Sequence, residues 1–266
     1  MADMRAVLSI AGSDCSGGAG IQADLKTFSA LNVYGMSVIT SVVAENTQRV
    51  LSVYDLPPDI IKNQIDVVFE DIEVSAVKVG MIKSQKIMQT VFETLKNNNA
   101  KNIVCDPVML AKGGEELMDK SAVQYLKDFV IPCCNVFTPN IPETEVILNR
   151  KIKTEENMIN AAFDICKLGA KACLIKGGHF TGEPTDILCS DNQIHKFASK
   201  RINTKNTHGT GCTLSSAIAA FIAKGYEVPK AVTEAKNYIT GAIENSLDIG
   251  KGNGPLNHFY NIQYKN

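Results

Sequence analysis

Short runs of β-branched and apolar residues alternate with helix-periodic stretches along this chain, and this rhythm limits the folds open to it more than any other feature. Residues 6–10 read as a strand that passes through the glycine-rich run 11–20 into a helix over 21–31. Strand signals return at 35–43, 76–79, 102–105, 136–138 and 172–175. Helix signals fall at 59–69, 84–97, 120–129, from Glu143, from Thr154 and over 228–247. Strand and helix thus alternate throughout, which predicts a three-layer α/β/α sandwich around a mainly parallel, doubly wound sheet. In such a fold, ligands bind beyond the carboxyl ends of the strands. With no repeat, low-complexity tract or compositional break, residues 1–266 are expected to form a single domain.

The polar motifs fall where that fold would place a site. Gly12-Ser13-Asp14, Glu45-Asn46-Thr47, Gly80-Met81, Asp106-Pro107-Val108-Met109, Thr138-Pro139-Asn140, Lys176-Gly177-Gly178-His179 and His208 to Cys212 all follow strands or lead into helices. The last is the most informative. In Asn206-Thr207-His208-Gly209-Thr210-Gly211-Cys212, two glycines permit a tight turn and close approach to a ligand. Leu214, Ile218, Phe221 and Ile222 then recur at helical spacing, so the turn opens a buried helix. First-turn amides of Gly209, Thr210, Gly211 and Cys212, together with the helix dipole, make an anion site suited to phosphate. A plain tight turn before a helix is the simpler alternative.

Composition excludes several classes. A formal charge of −1 without a basic block argues against nucleic acid as the main partner, and no apolar run is long enough to span a bilayer. The N-terminus enters a strand directly, without the regions of a signal peptide, so a cytoplasmic address is expected. Eight cysteines lie mostly in apolar contexts with no C-x-x-C pair, which reads as buried reduced thiols. Cys133-Cys134 has no neighbours at zinc spacing.

Asp106 ends an apolar strand, a costly place for a carboxylate without a cation or a set of donors. With Glu143 and Asn140 it offers the hard oxygens that suit Mg²⁺ bridging nucleotide phosphates; a turn aspartate and a helix cap are the alternatives. Lys176, at a strand end before two glycines, is placed to reach phosphates. Lys112-Gly113-Gly114-Glu115-Glu116 has the composition of a mobile flap or a plain loop.

Taken together, Ala11 to Thr27, Ala44-Glu45-Asn46-Thr47, Asp106 to Met109, Thr138 to Glu143, Lys176 to His179 and His208 to Cys212 resemble the hydroxymethylpyrimidine/phosphomethylpyrimidine kinases of thiamine biosynthesis, in the ribokinase-like superfamily. The resemblance runs from the first strand to Gly254-Pro255-Leu256-Asn257-His258. It implies ATP-dependent, Mg²⁺-assisted phosphorylation of 4-amino-5-hydroxymethyl-2-methylpyrimidine and then of its monophosphate. It also implies a homodimer whose partners are this small molecule and ATP. By the same resemblance, Gly12, Asp24, Glu45, Met81, Val108 and Cys212 surround the pyrimidine, while Lys176, Thr210 and Asn140 serve the nucleotide.

Cys212 takes the place of an aspartate base in related sugar kinases, and a helix start is expected to lower its thiol pKa toward working range. A small residue packed at a helix start is the alternative. For Asp24 the alternatives are an exposed helix residue or a salt-bridge partner of Lys26's neighbours. Pyridoxal kinase, of the same superfamily, and a non-catalytic pyrimidine- or nucleotide-binding regulator are the competing functions.

Overall fold

The computed structural model describes residues 4–82, 84–109, 120–178 and 183–262. One nine-stranded sheet runs through them in the order β3-β2-β1-β4-β5-β6-β7-β8-β9. Its strands are β1 Ala6–Asp14, β2 Tyr34–Glu45, β3 Val50–Asp55, β4 Val74–Val79, β5 Ile103–Cys105, β6 Val136–Phe137, β7 Ala172–Ile175, β8 Thr185–Ser190 and β9 Gln193–Ala198. The helices are α1 Gly20–Ala30, α2 Pro58–Asp71, α3 Gln85–Asn97, α4 Lys120–Tyr125, α5 Ile141–Leu148, α6 Glu155–Lys167, α7 Thr210–Ala223 and α8 Val228–Glu244. Between α4 and β6 the chain winds through a π turn, Leu126–Val130, and a 3-10 turn, Ile131–Cys133.

The pairs β1–β2, β1–β4, β4–β5, β5–β6 and β6–β7 are parallel, as expected. The alternation is not complete. β3 returns antiparallel to β2, and β8 and β9 extend the other edge antiparallel to β7. These three strands were not foreseen. β3 reads in sequence as a polar-interrupted run with five of its six positions exposed, so the signal of a buried strand is absent.

Period-two alternation sorts the strand side chains onto two faces. Leu8, Ile10, Val77, Val79, Ile103 and Cys105 join a core under α2 to α6. Val7, Ala76, Val104, Leu174 and Leu188 join a second core under α1, α7 and α8. Lys78 stands between Val77 and Val79, and so shares the second face with Ala76. From β1 the chain moves to β2 on one side and later to β4 on the other, which makes the β1/β4 boundary the switch point where such sheets bind ligands. The carboxyl ends of β1, β2, β4, β5, β6 and β7 bring Asp14, Glu45, Gly80, Asp106, Thr138 and Lys176 to one rim.

All eight cysteines are free thiols, but Cys15 is exposed and Cys133, Cys166 and Cys212 are half-buried, so burial accounts for only half of them. Among the described residues, no helix is long and apolar enough to cross a membrane.

Candidate active site

At the end of β1, Asp14 is buried at 2% exposure and its carboxylate accepts the amides of Ser16, Gly18 and Ala19 at 2.7, 3.0 and 2.7 Å. It also meets His208 Nε2 at 2.9 Å. Burial alone would raise its pKa, but the bonds from His208, Ser16 and Ala19 outweigh it and hold the carboxyl well below the usual range. The glycine-rich loop is thereby folded around one anion and fastened to the loop before α7. Gly18 is needed for this contact, because a Cβ there would lie 2.3 Å from His208 Cδ2. The Asp14–His208 pair was missed in the sequence; the available signal was an aspartate at a strand end followed by donors on a glycine run.

The start of α7 is set by Gly209, whose φ of 82° caps the helix and whose Cβ, if present, would fall 1.8 Å from the Gly18 carbonyl oxygen. Thr210 Oγ1 donates to the Thr207 carbonyl at 2.7 Å, so its hydroxyl stabilises the turn. His208 and Asn206 anchor the turn to the C-terminal segment through Gly254. In the first helical turn the amides of Gly211 and Cys212 are not used by the helix and point along its axis. A Cβ on Gly211 would be 3.1 Å from Asp106 Oδ2 and 3.7 Å from Lys176 Nζ, so the glycine lets an acid–lysine pair lie against the helix start.

That pair is short. Lys176 Nζ lies 2.5 Å from Asp106 Oδ1, which also accepts the Thr138 hydroxyl at 3.3 Å. Burial pulls the Lys176 ammonium down, but Asp106 and Glu143 more than offset it and its pKa is raised. Asn140 turns out to be the N-cap of α5. Its Oδ1 accepts from the Glu143 amide at 2.9 Å, while Glu143 Oε2 accepts from the Asn140 amide at 2.7 Å, a reciprocal capping box. The Asn140 side-chain oxygen thus secures the helix end. Glu143 is 3% exposed, and burial first, with the Asp106 charge, pushes its pKa up to about 7 against the pull of Lys176. It closes the capping box, and its carboxyl lies in the field of both Asp106 and Lys176.

These features place glycine-rich amides, a lysine and an aspartate at one helix start, as phosphoryl transfer requires. The model for phosphomethylpyrimidine kinase matches residues 14–257. The chain belongs to the phosphomethylpyrimidine kinase family. It is 44% identical to the hydroxymethylpyrimidine/phosphomethylpyrimidine kinase of Salmonella typhimurium over 95% of this chain and 97% of that one. A thiamine biosynthesis bifunctional protein of Geobacter sulfurreducens is 46% identical over 95% of this chain, which spans only 52% of that longer protein. Among solved structures, the ADP complex of Bacillus subtilis pyridoxal kinase aligns with a TM-score of 0.89 at 38% identity, covering 96% of this chain and 98% of that one. The protein is thus a ribokinase-like kinase with ATP as co-substrate.

In this kinase Cys212 is half-buried near the start of α7. Burial is the largest influence and pushes the thiol up; Lys78 and Gly20 pull it down, while Asp24 and Asp106 push it further up. The net direction is upward. The expectation of a thiol lowered by the helix start is corrected: burial, with Asp24 and Asp106, outweighs the pull of Lys78 and pushes the thiol up.

Asp24 also departs from expectation. It is fully buried and satisfied by Lys78 Nζ at 2.9 and 2.8 Å, Ser9 Oγ at 2.6 Å and Ser216 Oγ at 2.7 Å, so its carboxylate lies behind the pocket wall. Asp24 is thus neither an exposed helix residue nor paired with a neighbour of Lys26; its ion pair is with Lys78. Gly12 and Met81 meet at the switch point, where a Cβ on Gly12 would be 3.0 Å from Met81 Cε. Val108 is half-buried just past Asp106 on the same rim. Glu45 is half-buried and offers a ligand atom within 4.8 Å of those of Asp14 and His208. The flap at 112–116, and His179, lie outside the described residues.

Proposed function

We propose that this kinase transfers the γ-phosphoryl group of ATP to the hydroxymethyl oxygen of 4-amino-5-hydroxymethyl-2-methylpyrimidine, and then a second phosphoryl group to the monophosphate, supplying thiamine diphosphate synthesis. The observation that carries the reading is the position of Cys212, one residue past Gly211, where the Asp106–Lys176 pair lies against the helix start. In the first transfer the hydroxymethyl oxygen forms the new P–O bond, the bond to the β-phosphate bridge breaks, and the hydroxyl proton passes to the Cys212 sulfur. Because the thiol pKa is raised, its proton must first pass to solvent water, a loss that the Lys78 ammonium favours. The amides of Gly211 and Cys212 and the Lys176 ammonium offset charge on the moving phosphoryl group. Glu45, Gly12, Met81 and Val108 form the wall that receives the pyrimidine, with Glu45 accepting its exocyclic amine.

Asp106 fits a role toward Mg²⁺, since Oδ2 faces the helix start while Oδ1 is held by Lys176. Bound there with the nucleotide, the ion would neutralise charge on the β- and γ-phosphates. A homodimer is supported by the apolar edge of the sheet, where Val42, Leu51 and Tyr54 are 47, 72 and 66% exposed. A cytoplasmic location accords with a biosynthetic kinase rich in free thiols. The second reading is pyridoxal phosphorylation, favoured by the 38% identical pyridoxal kinase. The test is product analysis by mass spectrometry with ATP, Mg²⁺ and each acceptor. Mono- and then diphosphate from the pyrimidine support the first reading, whereas ADP and free phosphate alone overturn it. Higher kcat/KM on pyridoxal would favour the second.

A further inference from the structure

Below the switch point, a buried side-chain bond ties α1 to α7. Gly20 and Asp24 lie one turn apart on α1, and Cys212 and Ser216 lie one turn apart on α7. Ser216 Oγ, one turn past Cys212, donates to Asp24 Oδ1 at 2.7 Å. Lys78, from β4, holds both Asp24 oxygens, and its Nζ sits 2.7 Å from where a Gly80 Cβ would be, directly under the switch point. Both side chains of the Lys78–Asp24 pair are 0% exposed, so neither can touch a substrate.

A sealed ion pair is a poor means of gaining stability, because hydrophobic residues of similar volume usually serve as well or better. Its position one helical turn behind Cys212 gives it another use. We propose that Lys78 and Asp24 form a positioning pair for Cys212, with the Lys78 ammonium favouring the thiolate and Asp24 holding that ammonium and α7 in register. Asp24 alone would oppose the thiolate; paired, it fixes the cation where the cation prevails. The other charges facing the sulfur are Asp106, beyond β5, and Lys176, beyond β7. This inference builds on the assignment of Cys212 as proton acceptor, but its test does not depend on the acceptor being correctly identified.

The experiment measures the pH dependence of Cys212 alkylation by iodoacetamide in the full-length protein without nucleotide or pyrimidine, read at the Cys212 peptide by mass spectrometry. Lys78→Met should move the profile to higher pH by about one unit or more, and Asp24→Asn should move it to lower pH. Both variants leave a buried charge unpaired, so both should lower the melting temperature; a purely structural pair would change that alone. Lys78→Met combined with Asp24→Asn restores neutrality and, if Lys78→Met fails to fold, supplies the upward shift in a folded protein. A wild-type profile in the folded Lys78 variants, or a shift of Asp24→Asn in the same direction as Lys78→Met, overturns the proposal. The acidic limb of the kcat profile should follow the alkylation profile in each variant. Should alkylation shift as expected while no pyrimidine product forms in wild type, the substrate assignment fails and the positioning role stands.

Discussion

Two aspartate–lysine pairs flank Cys212, and they share their chemistry but not their access to solvent. Lys78–Asp24 is sealed, at 0% and 0% side-chain exposure, with two serine hydroxyls completing the acceptors of Asp24. Lys176–Asp106 lies at the strand ends, where the lysine side chain is 17% exposed and Gly211 leaves room beside it. A sealed pair acts only through its field and through packing. An open pair can exchange partners, so Lys176 can leave Asp106 for a phosphate when nucleotide arrives. The contrast separates a charge that shapes the site from a charge that handles the ligand, although both are Asp–Lys contacts, one between α1 and β4 and the other between the ends of β5 and β7.

The largest expected effect lies between the two pairs. Cys212→Ala should lower kcat for the first phosphorylation by roughly 10²–10⁴-fold, the range for a positioned base, with ATP affinity nearly unchanged. The monophosphate step should suffer less, because its attacking oxygen belongs to a phosphate whose second pKa is about 6 and needs no base at neutral pH. Rapid-quench measurement of each step separates them. Equal losses in both would mean the cysteine positions rather than accepts a proton.

Next come the lysines. Lys78→Met, leaving Asp24 charged and sealed, should cost about 3–5 kcal/mol of stability. Lys176→Met should cost less in chemical denaturation, since the Lys176 side chain is 17% exposed against 0% for Lys78, yet should raise KM for ATP and lower kcat. If the two variants lose equal stability, or if Lys78→Met weakens ATP binding more than Lys176→Met does, the division into sealed and open pairs is wrong.

The same contrast explains what could be read from the chain. Asp106, Lys176 and Cys212 stand beside glycine or proline at strand ends and a helix start, and such local punctuation marks a site. Lys78 stands inside Ala76-Val77-Lys78-Val79, a strand run whose period-two pattern tells that it faces inward but not what it meets. Its partner is 54 residues away in sequence, and that pairing depends on how α1 crosses β4. Asp14 and His208, separated by 194 residues, were hidden for the same reason. The parallel core of the sheet was legible from its apolar runs, whereas β8 and β9 follow β7 as an antiparallel hairpin without a strong turn of apolar character to announce them. Asn140 was ambiguous because an asparagine three residues before a glutamate is equally the signature of a capping box.

A smaller effect is expected at the open pair itself. Asp106→Asn keeps size but removes the charge that holds Lys176, and should raise the Mg²⁺ concentration needed for half-maximal activity. Titration of Mg²⁺ at fixed ATP measures it. Superimposable curves for variant and wild type would place Asp106 in a structural role and leave Lys176 as the only ligand-handling member of the pair.

The smallest effect tests whether the open pair's field reaches its neighbour. Glu143 has its pKa raised from 4.5 to about 7 by burial and by Asp106, against Lys176. Between those values the folded protein binds a proton that the unfolded chain has already lost, so this group's contribution to stability falls as pH rises from about 4.5 to 7 and is level above. Glu143→Gln keeps an acceptor for the Asn140 amide and never ionises. Its melting temperature relative to wild type should therefore improve steadily over that interval and then plateau, by about 2–4 °C for each kcal/mol involved. Scans in EDTA keep divalent ions out of the comparison. A relative melting temperature that stays flat, or falls with rising pH, would mean Glu143 is ionised throughout. Repeating the series in Asp106→Asn removes the nearest like charge, so the rising limb should move to lower pH. An unmoved limb would show that the Asp106 charge does not reach the α5 cap, and that burial alone sets the Glu143 proton.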